Sequence, residues 1–132
     1  MSDIEQLIRS HLELVTQDFP CWLELLDDEI VIEFPYGESA GNPARMGGKD
    51  EITEVITTFL ARVPELRFRH PVIYLCADPD EAFATYDVEV NVPENNRVYR
   101  QNYISYFRQR SGKLVYLAEY FDPIKTRAAF ND

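Results

Sequence analysis

The chain has 132 residues, 45% apolar and 13% aromatic, which is enough for one domain with a hydrophobic core. Its formal net charge of −10 argues against nucleic acid or an anionic membrane as a partner, because phosphate binding requires clustered Lys and Arg. No stretch approaches the roughly 20 apolar residues of a membrane span, and the N-terminus lacks a secretory signal pattern. Two cysteines without a CxxC motif do not predict a disulfide framework. We therefore expect a single cytoplasmic domain over residues 1–132.

The first half of the chain has the pattern of helices interrupted by one strand. Ser2 and Glu5 form a capping box, and the apolar residues that follow recur at helical spacing. The predicted elements are a helix with apolar residues from Ile4 to Val15, a short helix from Pro20 that buries Trp22, a strand at 29–34, a Gly- and Pro-rich loop at 35–48, and a helix with an apolar stripe from Ile52 to Val63.

The second half has the pattern of an antiparallel meander closed by a short helix. Strands separated by tight turns are predicted at 66–77, 82–92, 98–110 and 113–121, and a helix is predicted at 123–130. Helices first and an antiparallel sheet afterwards is the element order of an α+β fold.

A carboxylate interrupts the apolar pattern of the last predicted strand. In "LVYLAEYFDP" (114–123), Glu119 lies among apolar neighbours, where a charged group is costly unless it has a partner or a function. Burial would raise the pKa of Glu119, so that it could act as a general acid or base near neutral pH. The alternative is a structural carboxylate bound to the first helix or to Asn102.

Turn lengths predict which side chains share a face of the sheet. The face predicted to lie under the helices and enclose a cavity carries His70, Val72, Asp87, Glu89, Asn102, Ile104, Tyr106, Leu117, Glu119 and Phe121. The reverse face, with Tyr86, Val88, Val90, Tyr99, Tyr103, Phe107, Leu114, Tyr116 and Tyr120, would be left for a second copy of the chain, which predicts a homodimer. A β-bulge in any strand would exchange the two faces beyond it.

These features resemble the nuclear transport factor 2-like superfamily, in its SnoaL-like and ketosteroid isomerase-related branch. The phenazine-biosynthesis A/B family is the most similar, through a helix ending in "RVPEL", a "DPD" turn, Asp87 and the stretch "YRQNYISYFRQRSGKLVYLAEYFDP" (99–123). The resemblance implies a cone-shaped α+β fold, in which a curved antiparallel sheet wraps around N-terminal helices. It also implies that Glu119 takes the position of the catalytic acid. A His and a Ser of that family are replaced by Val55 and Phe59, which argues against the phenazine condensation itself.

Other polar residues of the predicted cavity face are further candidates for catalysis. Asp87 and Glu89 could each shift the pKa of the other and of Glu119, and His70 could pair with either in a proton relay. Each has a structural alternative, with Glu89 a polar residue at the rim and His70 a satisfied structural histidine. His11, in the apolar stripe of the first helix, is interpreted as structural.

A second group of residues is expected to bind the substrate. Asn102 and Tyr106 would hold a substrate oxygen, Tyr36 could bind a ligand oxygen or anchor a turn, and the apolar walls would include Trp22 and Phe121.

The sequence thus predicts proton transfer on a carbonyl metabolite, with isomerisation, cyclisation or dehydration as the reaction class. Glu119 or Asp87 would be the acid or base, and no cofactor or metal is expected. One alternative is a non-catalytic ligand-binding or assembly module of the same fold. Another is an epoxide hydrolase-like site, for which Arg100 would have to lie between Asp87 and Glu89.

Overall fold

A computed structural model describes residues 2–131 of the chain. Its helices are α1 (Asp3–Gln17), α2 (Phe19–Glu24), α3 (Lys49–Arg62) and α4 (Pro123–Phe130), and its strands are β1 (Leu26–Glu33), β2 (Arg45–Gly47), β3 (Arg69–Leu75), β4 (Glu81–Val92), β5 (Arg97–Arg110) and β6 (Lys113–Phe121).

The six strands form one curved sheet in the order β2-β1-β6-β5-β4-β3. The predicted meander from β3 to β6 is confirmed, and the α+β class with it. β1 pairs in parallel with β6, the last strand of the meander, and so adds a further strand to the sheet on that side. The sequence did not predict β2, a three-residue strand that lies within the expected loop and pairs with β1.

Local sequence signals set the ends of the helices. Ser2 Oγ accepts a hydrogen bond from the Glu5 amide at 3.3 Å, as the capping box predicts. Asp18 and Asp122 cap α2 and α4 in the same manner, and each of these helices has a proline in its first turn. The buried stripe of α1 includes His11 and faces the sheet.

Side chains on the central strands alternate between a covered and an open face of the sheet. The covered face carries Tyr86, Val88, Val90, Tyr99, Gln101, Tyr103, Ser105 and Phe107, all of them buried. The open face carries Phe83, Asp87 and Glu89 on β4 and Asn102 and Ile104 on β5. The sequence therefore grouped the residues of β4 and β5 correctly into two faces. It was wrong about which face the helices cover, since they cover the aromatic face and not the polar one.

A β-bulge in β6 explains the error. Arg108 pairs with Tyr116 but Gln109 pairs with Leu114, which leaves Val115 as an extra residue on β6. Beyond this bulge, Glu119 lies opposite Ser105 and not opposite Ile104. Leu117, Glu119 and Phe121 therefore join the covered aromatic face, while the polar set around Asp87 remains on the open face.

Within residues 2–131, no helix is both long enough and apolar enough to cross a membrane.

Candidate functional site

Between the covered face of the sheet and the helices lies a cavity of about 370 Å³ that is partly open to solvent. This volume lies within the range typical of small-molecule sites. Most of the lining is apolar and aromatic, and it includes Trp22, Phe34, Val55, Phe59, Phe68 and Phe121. A few polar side chains interrupt this wall, and they decide what chemistry the cavity can support.

Glu119 is the carboxylate of the sheet that borders the cavity. It retains some accessible surface because it lies at the cavity wall, although its strand neighbours Ala118 and Phe121 are buried. Burial raises the pKa of Glu119 from 4.5 to about 7, and a hydrogen bond from Tyr86 lowers it in part. Near neutral pH both the acid and the carboxylate are therefore populated.

A hydrogen-bonded chain across three strands holds this carboxylate in place. Tyr86 Oη donates to Glu119 Oε2 at 2.8 Å and lies 2.7 Å from Ser105 Oγ. Because a phenol has one proton, Ser105 is the donor to Tyr86 when Tyr86 donates to Glu119. Glu119 Oε1 has no hydrogen-bond partner within residues 2–131, so this oxygen is available to a substrate in the cavity.

Two further tyrosines extend the polar wall. The hydroxyls of Tyr99 and Tyr103 lie 2.8 Å apart, and the Tyr103 ring stacks on Tyr86 with centroids 5.1 Å apart. Burial raises the pKa of Tyr103 well above its usual value of 10, and it raises the pKa of Tyr99 in the same direction. Both side chains are therefore neutral and able to donate a hydrogen bond at physiological pH.

His11 lines the cavity from the helical side. Its Nδ1 accepts a hydrogen bond from Trp22 Nε1 at 2.8 Å. Burial lowers the pKa of His11 from 6.5 to about 4, so the ring is neutral near pH 7. Sequence reasoning identified this histidine only as structural. The available signal was its place in the buried stripe of the helix that roofs the cavity.

Three of the predicted site residues line the cavity, namely Trp22, Glu119 and Phe121. Val55 and Phe59, which stand where the phenazine family has its His and Ser, line it as well. Tyr36 does not, since its side chain is exposed and packs edge-on against Tyr120.

The prediction that Asp87, His70 and Glu89 face the cavity is wrong, because the bulge in β6 separates their face from that of Glu119. Asp87 Oδ2 lies 2.7 Å from His70 Nδ1, and Asp87 Oδ1 accepts a hydrogen bond from Arg69. The bond to His70, together with the one from Arg69, holds the pKa of Asp87 below its usual value. Such a carboxylate is a weak base. Glu89 forms an exposed ion pair with Arg100 at 2.6 Å.

Asn102 and Tyr106, predicted to bind substrate, also lie outside the cavity. Asn102 is exposed, and Tyr106 donates a hydrogen bond to Glu81 on the open face. The epoxide hydrolase-like interpretation required Asp87, Glu89 and Arg100 in the cavity, and none of the three lines it.

Comparison with known families gives one match that spans most of the chain. The model of the SnoaL-like domain matches residues 5–117. Among curated proteins, the uncharacterised protein YesE of Bacillus subtilis is 32% identical over 117 residues, which cover 89% of this chain and 79% of YesE. An uncharacterised PhzA/B-like protein of Pseudomonas aeruginosa is 28% identical over 125 residues, which cover 95% of this chain and 87% of that protein.

Solved structures agree with this assignment. A Bacillus subtilis protein named as a candidate isomerase superposes with a TM-score of 0.88 at 31% identity, over 98% of this chain and 96% of that one. An NTF2-like protein of unknown function from Burkholderia pseudomallei gives 0.85 at 21% identity over the full length of both chains. A candidate polyketide cyclase from Xanthomonas campestris gives 0.82 at 15% identity over 96% of each chain. The last two likenesses establish the fold alone.

Proposed function

The chain belongs to the SnoaL-like domain family, and from this premise we propose that it catalyses cofactor-independent proton transfer on an apolar carbonyl compound. Glu119 is the general acid and base of this reaction. The substrate occupies the cavity, with a carbon next to its carbonyl group against Glu119 Oε1.

The observation that carries this proposal is a carboxylate with a pKa of about 7 and one unpaired oxygen at the wall of an apolar cavity. A general base is most effective when its pKa lies near the operating pH, and the raised pKa of Glu119 meets this condition at neutral pH. Burial raises the basicity of Glu119, and the bond from Tyr86 keeps part of the population ionised.

The reaction consists of two proton transfers. Glu119 Oε1 removes the proton on the carbon next to the carbonyl group, and the electron pair of that C–H bond forms an enolate. Return of the proton to a different carbon gives an isomerised product. Attack of the enolate on a second carbonyl group instead closes a ring, and the Glu119 carboxylic acid then gives its proton to the alkoxide oxygen that this attack produces. Glu119 ends the isomerisation in its starting ionisation state, so no oxidant or reductant is required.

The family supports this class of reaction. The Bacillus subtilis relative of known structure is named as a candidate isomerase, and the Xanthomonas campestris structure is named as a candidate polyketide cyclase. An isomerisation can begin with removal of a carbon-bound proton, which is the step proposed here for Glu119, whereas the Xanthomonas campestris structure supports only the fold.

Hydrogen–deuterium exchange tests the first step without knowledge of the natural substrate. We propose 2-tetralone as the probe, because it is an apolar bicyclic ketone with acidic protons next to the carbonyl group. NMR in D₂O follows the loss of those protons. The wild-type protein is expected to accelerate the exchange, with a rate that rises with pH up to about 7, where Glu119 ionises.

Glu119→Gln is the decisive variant, and Glu89→Gln on the open face is its matched control. Loss of the general base is expected to slow the exchange by about 10²–10⁴-fold, while the control retains the wild-type rate. Exchange that survives in Glu119→Gln would refute the proposal. Binding of 2-tetralone without any acceleration in the wild type would instead support a non-catalytic binding module.

A further inference from the structure

His11 is buried, with 4% of its surface accessible, yet only one of its ring nitrogens has a protein partner. Trp22 Nε1 can only donate a hydrogen bond, so the nitrogen it reaches, His11 Nδ1, must be the acceptor. A neutral imidazole carries one proton, which therefore resides on Nε2. The bond from Trp22 thus selects one of the two tautomers of His11.

The Nε2–H group of His11 has no acceptor within residues 2–131. Buried side-chain nitrogen and oxygen atoms of these residues are all hydrogen-bonded, so the unpaired Nε2 must retain accessible surface. Since His11 borders the cavity, this surface opens into it. The cavity therefore has a fixed hydrogen-bond donor on its helical side and an acceptor, Glu119 Oε1, on its sheet side.

Resting on the function proposed above, we propose that His11 Nε2–H binds the carbonyl oxygen of the substrate and stabilises the negative charge that develops there. The C–H bond breaks as its proton moves to Glu119 and its electron pair forms the new C=C bond, while the π electrons of the carbonyl group move onto the oxygen. His11 keeps its proton throughout and acts only as a hydrogen-bond donor.

The surroundings of His11 suit this role. Phe107 packs edge-on against the imidazole with centroids 5.4 Å apart, and Trp22 holds its other edge, so the donor is oriented before the substrate arrives. A preoriented donor in an apolar site stabilises developing charge without the cost of reorganisation. The 2.8 Å bond between the Tyr99 and Tyr103 hydroxyls uses one of their two protons, so this pair offers at most one further donor to the cavity.

The same arrangement restricts the class of substrate. The ligand must place a carbonyl oxygen toward α1 and the carbon next to it toward β6, with apolar atoms elsewhere. A cavity of about 370 Å³ with aromatic walls suits a compact ketone or enone of roughly two fused rings.

NMR of protein with ¹⁵N-labelled histidine tests the donor directly, since the chain has only two histidines, His11 and His70. His11 is expected to show the neutral tautomer protonated at Nε2 at pH 7. We propose 2-naphthol as the probe, because it is a planar mimic of an enol. Its binding is expected to shift the His11 Nε2–H resonance and to leave His70 unchanged. The other tautomer, a lack of binding, or binding without this shift would overturn the proposal.

Two substitutions test the Nε2–H donor of His11 separately from the hydrogen bond that its Nδ1 accepts from Trp22. His11→Asn keeps an acceptor near the Nδ1 position but removes the donor at Nε2, whereas His11→Gln retains a donor near Nε2. Exchange of 2-tetralone is expected to lose about 10²–10³-fold in kcat in His11→Asn with little change in KM, and to be largely retained in His11→Gln. His70→Asn is the control.

Equal rates in His11→Asn and the wild type would overturn the role of His11 while leaving that of Glu119 intact. If the wild type catalyses no exchange, the proposed function fails, and the response of His11 to 2-naphthol still decides whether it binds a ligand oxygen.

Discussion

The Tyr86 hydroxyl reaches across β5 to donate a hydrogen bond to Glu119 Oε2 at 2.8 Å. The two residues lie on β4 and β6, which do not pair with each other, and Ser105 on the intervening strand completes the chain of hydroxyls. The ionisation of Glu119 is thereby tied to the packing of three strands.

Tyr86→Phe is expected to raise the pKa of Glu119 above about 7, because the bond from Tyr86 lowers it in the wild type. The apparent pKa in the pH–rate profile for 2-tetralone exchange would move upward. Loss of the hydroxyl also leaves Glu119 and Ser105 each with one partner fewer, which should cost about 1–3 kcal/mol of unfolding free energy. Tyr74→Phe, on an exposed tyrosine of β3, is the control. A downward shift would contradict the assignment.

Glu119 should make the protein less stable as the pH rises. Its pKa is raised in the folded state, so its stabilising contribution is complete below about 4.5 and is lost as the pH passes through about 7. At about 1.4 kcal/mol per pKa unit, the shift from 4.5 to about 7 corresponds to a loss of about 3–4 kcal/mol. Urea unfolding between pH 4 and 8 measures it, and Glu119→Gln should show a weaker decline. Parallel pH curves for the variant and the wild type would contradict the raised pKa.

His11 should have the opposite effect at acidic pH. Its pKa is lowered in the folded state, so its contribution is complete above about 6.5 and is lost as the pH falls through about 4. His11→Gln has a side chain that cannot be protonated. Between pH 7 and pH 4 its free energy of unfolding, measured with urea, is expected to fall less than that of the wild type. Equal acid sensitivity of the two proteins would show that His11 is not buried in its neutral form.

Filling the cavity should abolish binding while preserving the fold. Val55→Phe places a larger apolar side chain where empty volume exists, so it avoids the cost of overpacking a dense core. The affinity for 2-naphthol, measured by its fluorescence, is expected to fall at least about tenfold with an unchanged midpoint of unfolding. Val98→Phe, at an exposed position of β5, is the control. Unchanged affinity in Val55→Phe would place the binding site elsewhere.

The homodimer predicted from the sequence remains a proposal, now through the open face of the sheet. This face exposes the apolar side chains of Phe83 and Ile104. Beside them lie two ion pairs, Arg69–Asp87 and Arg100–Glu89, so the surface carries both positive and negative charges. The same surface on a twofold-related copy can match it, with apolar residues against apolar residues and opposite charges facing each other. Light scattering should give twice the mass of one chain, and Ile104→Lys should reduce it to that of a monomer. Ile124→Lys, at an exposed site on α4, should leave it unchanged. A monomeric wild type would contradict the proposal.

The strands could be predicted from the sequence because alternation and turn residues are local signals. Turn parity also correctly placed Asp87 and Asn102 on one face, and they pair directly in the structure. The bulge at Val115 has no such signal, because a β-branched residue is as common in a regular strand as in a bulged one. The sequence therefore identified Glu119 as facing inward but assigned it the wrong neighbours.

The site was only partly predictable for the same reason. An isolated carboxylate in an apolar strand is visible in the sequence, and Glu119 was found by that signal. The partnership of Tyr86 with Ser105, and that of His11 with Trp22, depends on side chains meeting across elements. Spacing within one element carries no information on such contacts.

The extra residue at Val115 also affects how relatives of this protein should be aligned. The orientation of Glu119 depends on the count of residues between the hairpin turn and the carboxylate. An insertion or deletion of one residue there would turn the carboxylate to the open face, where it would lose the burial that raises its pKa. Homologues that share the glutamate but differ in that count would therefore lack a carboxylate at this position of the cavity wall.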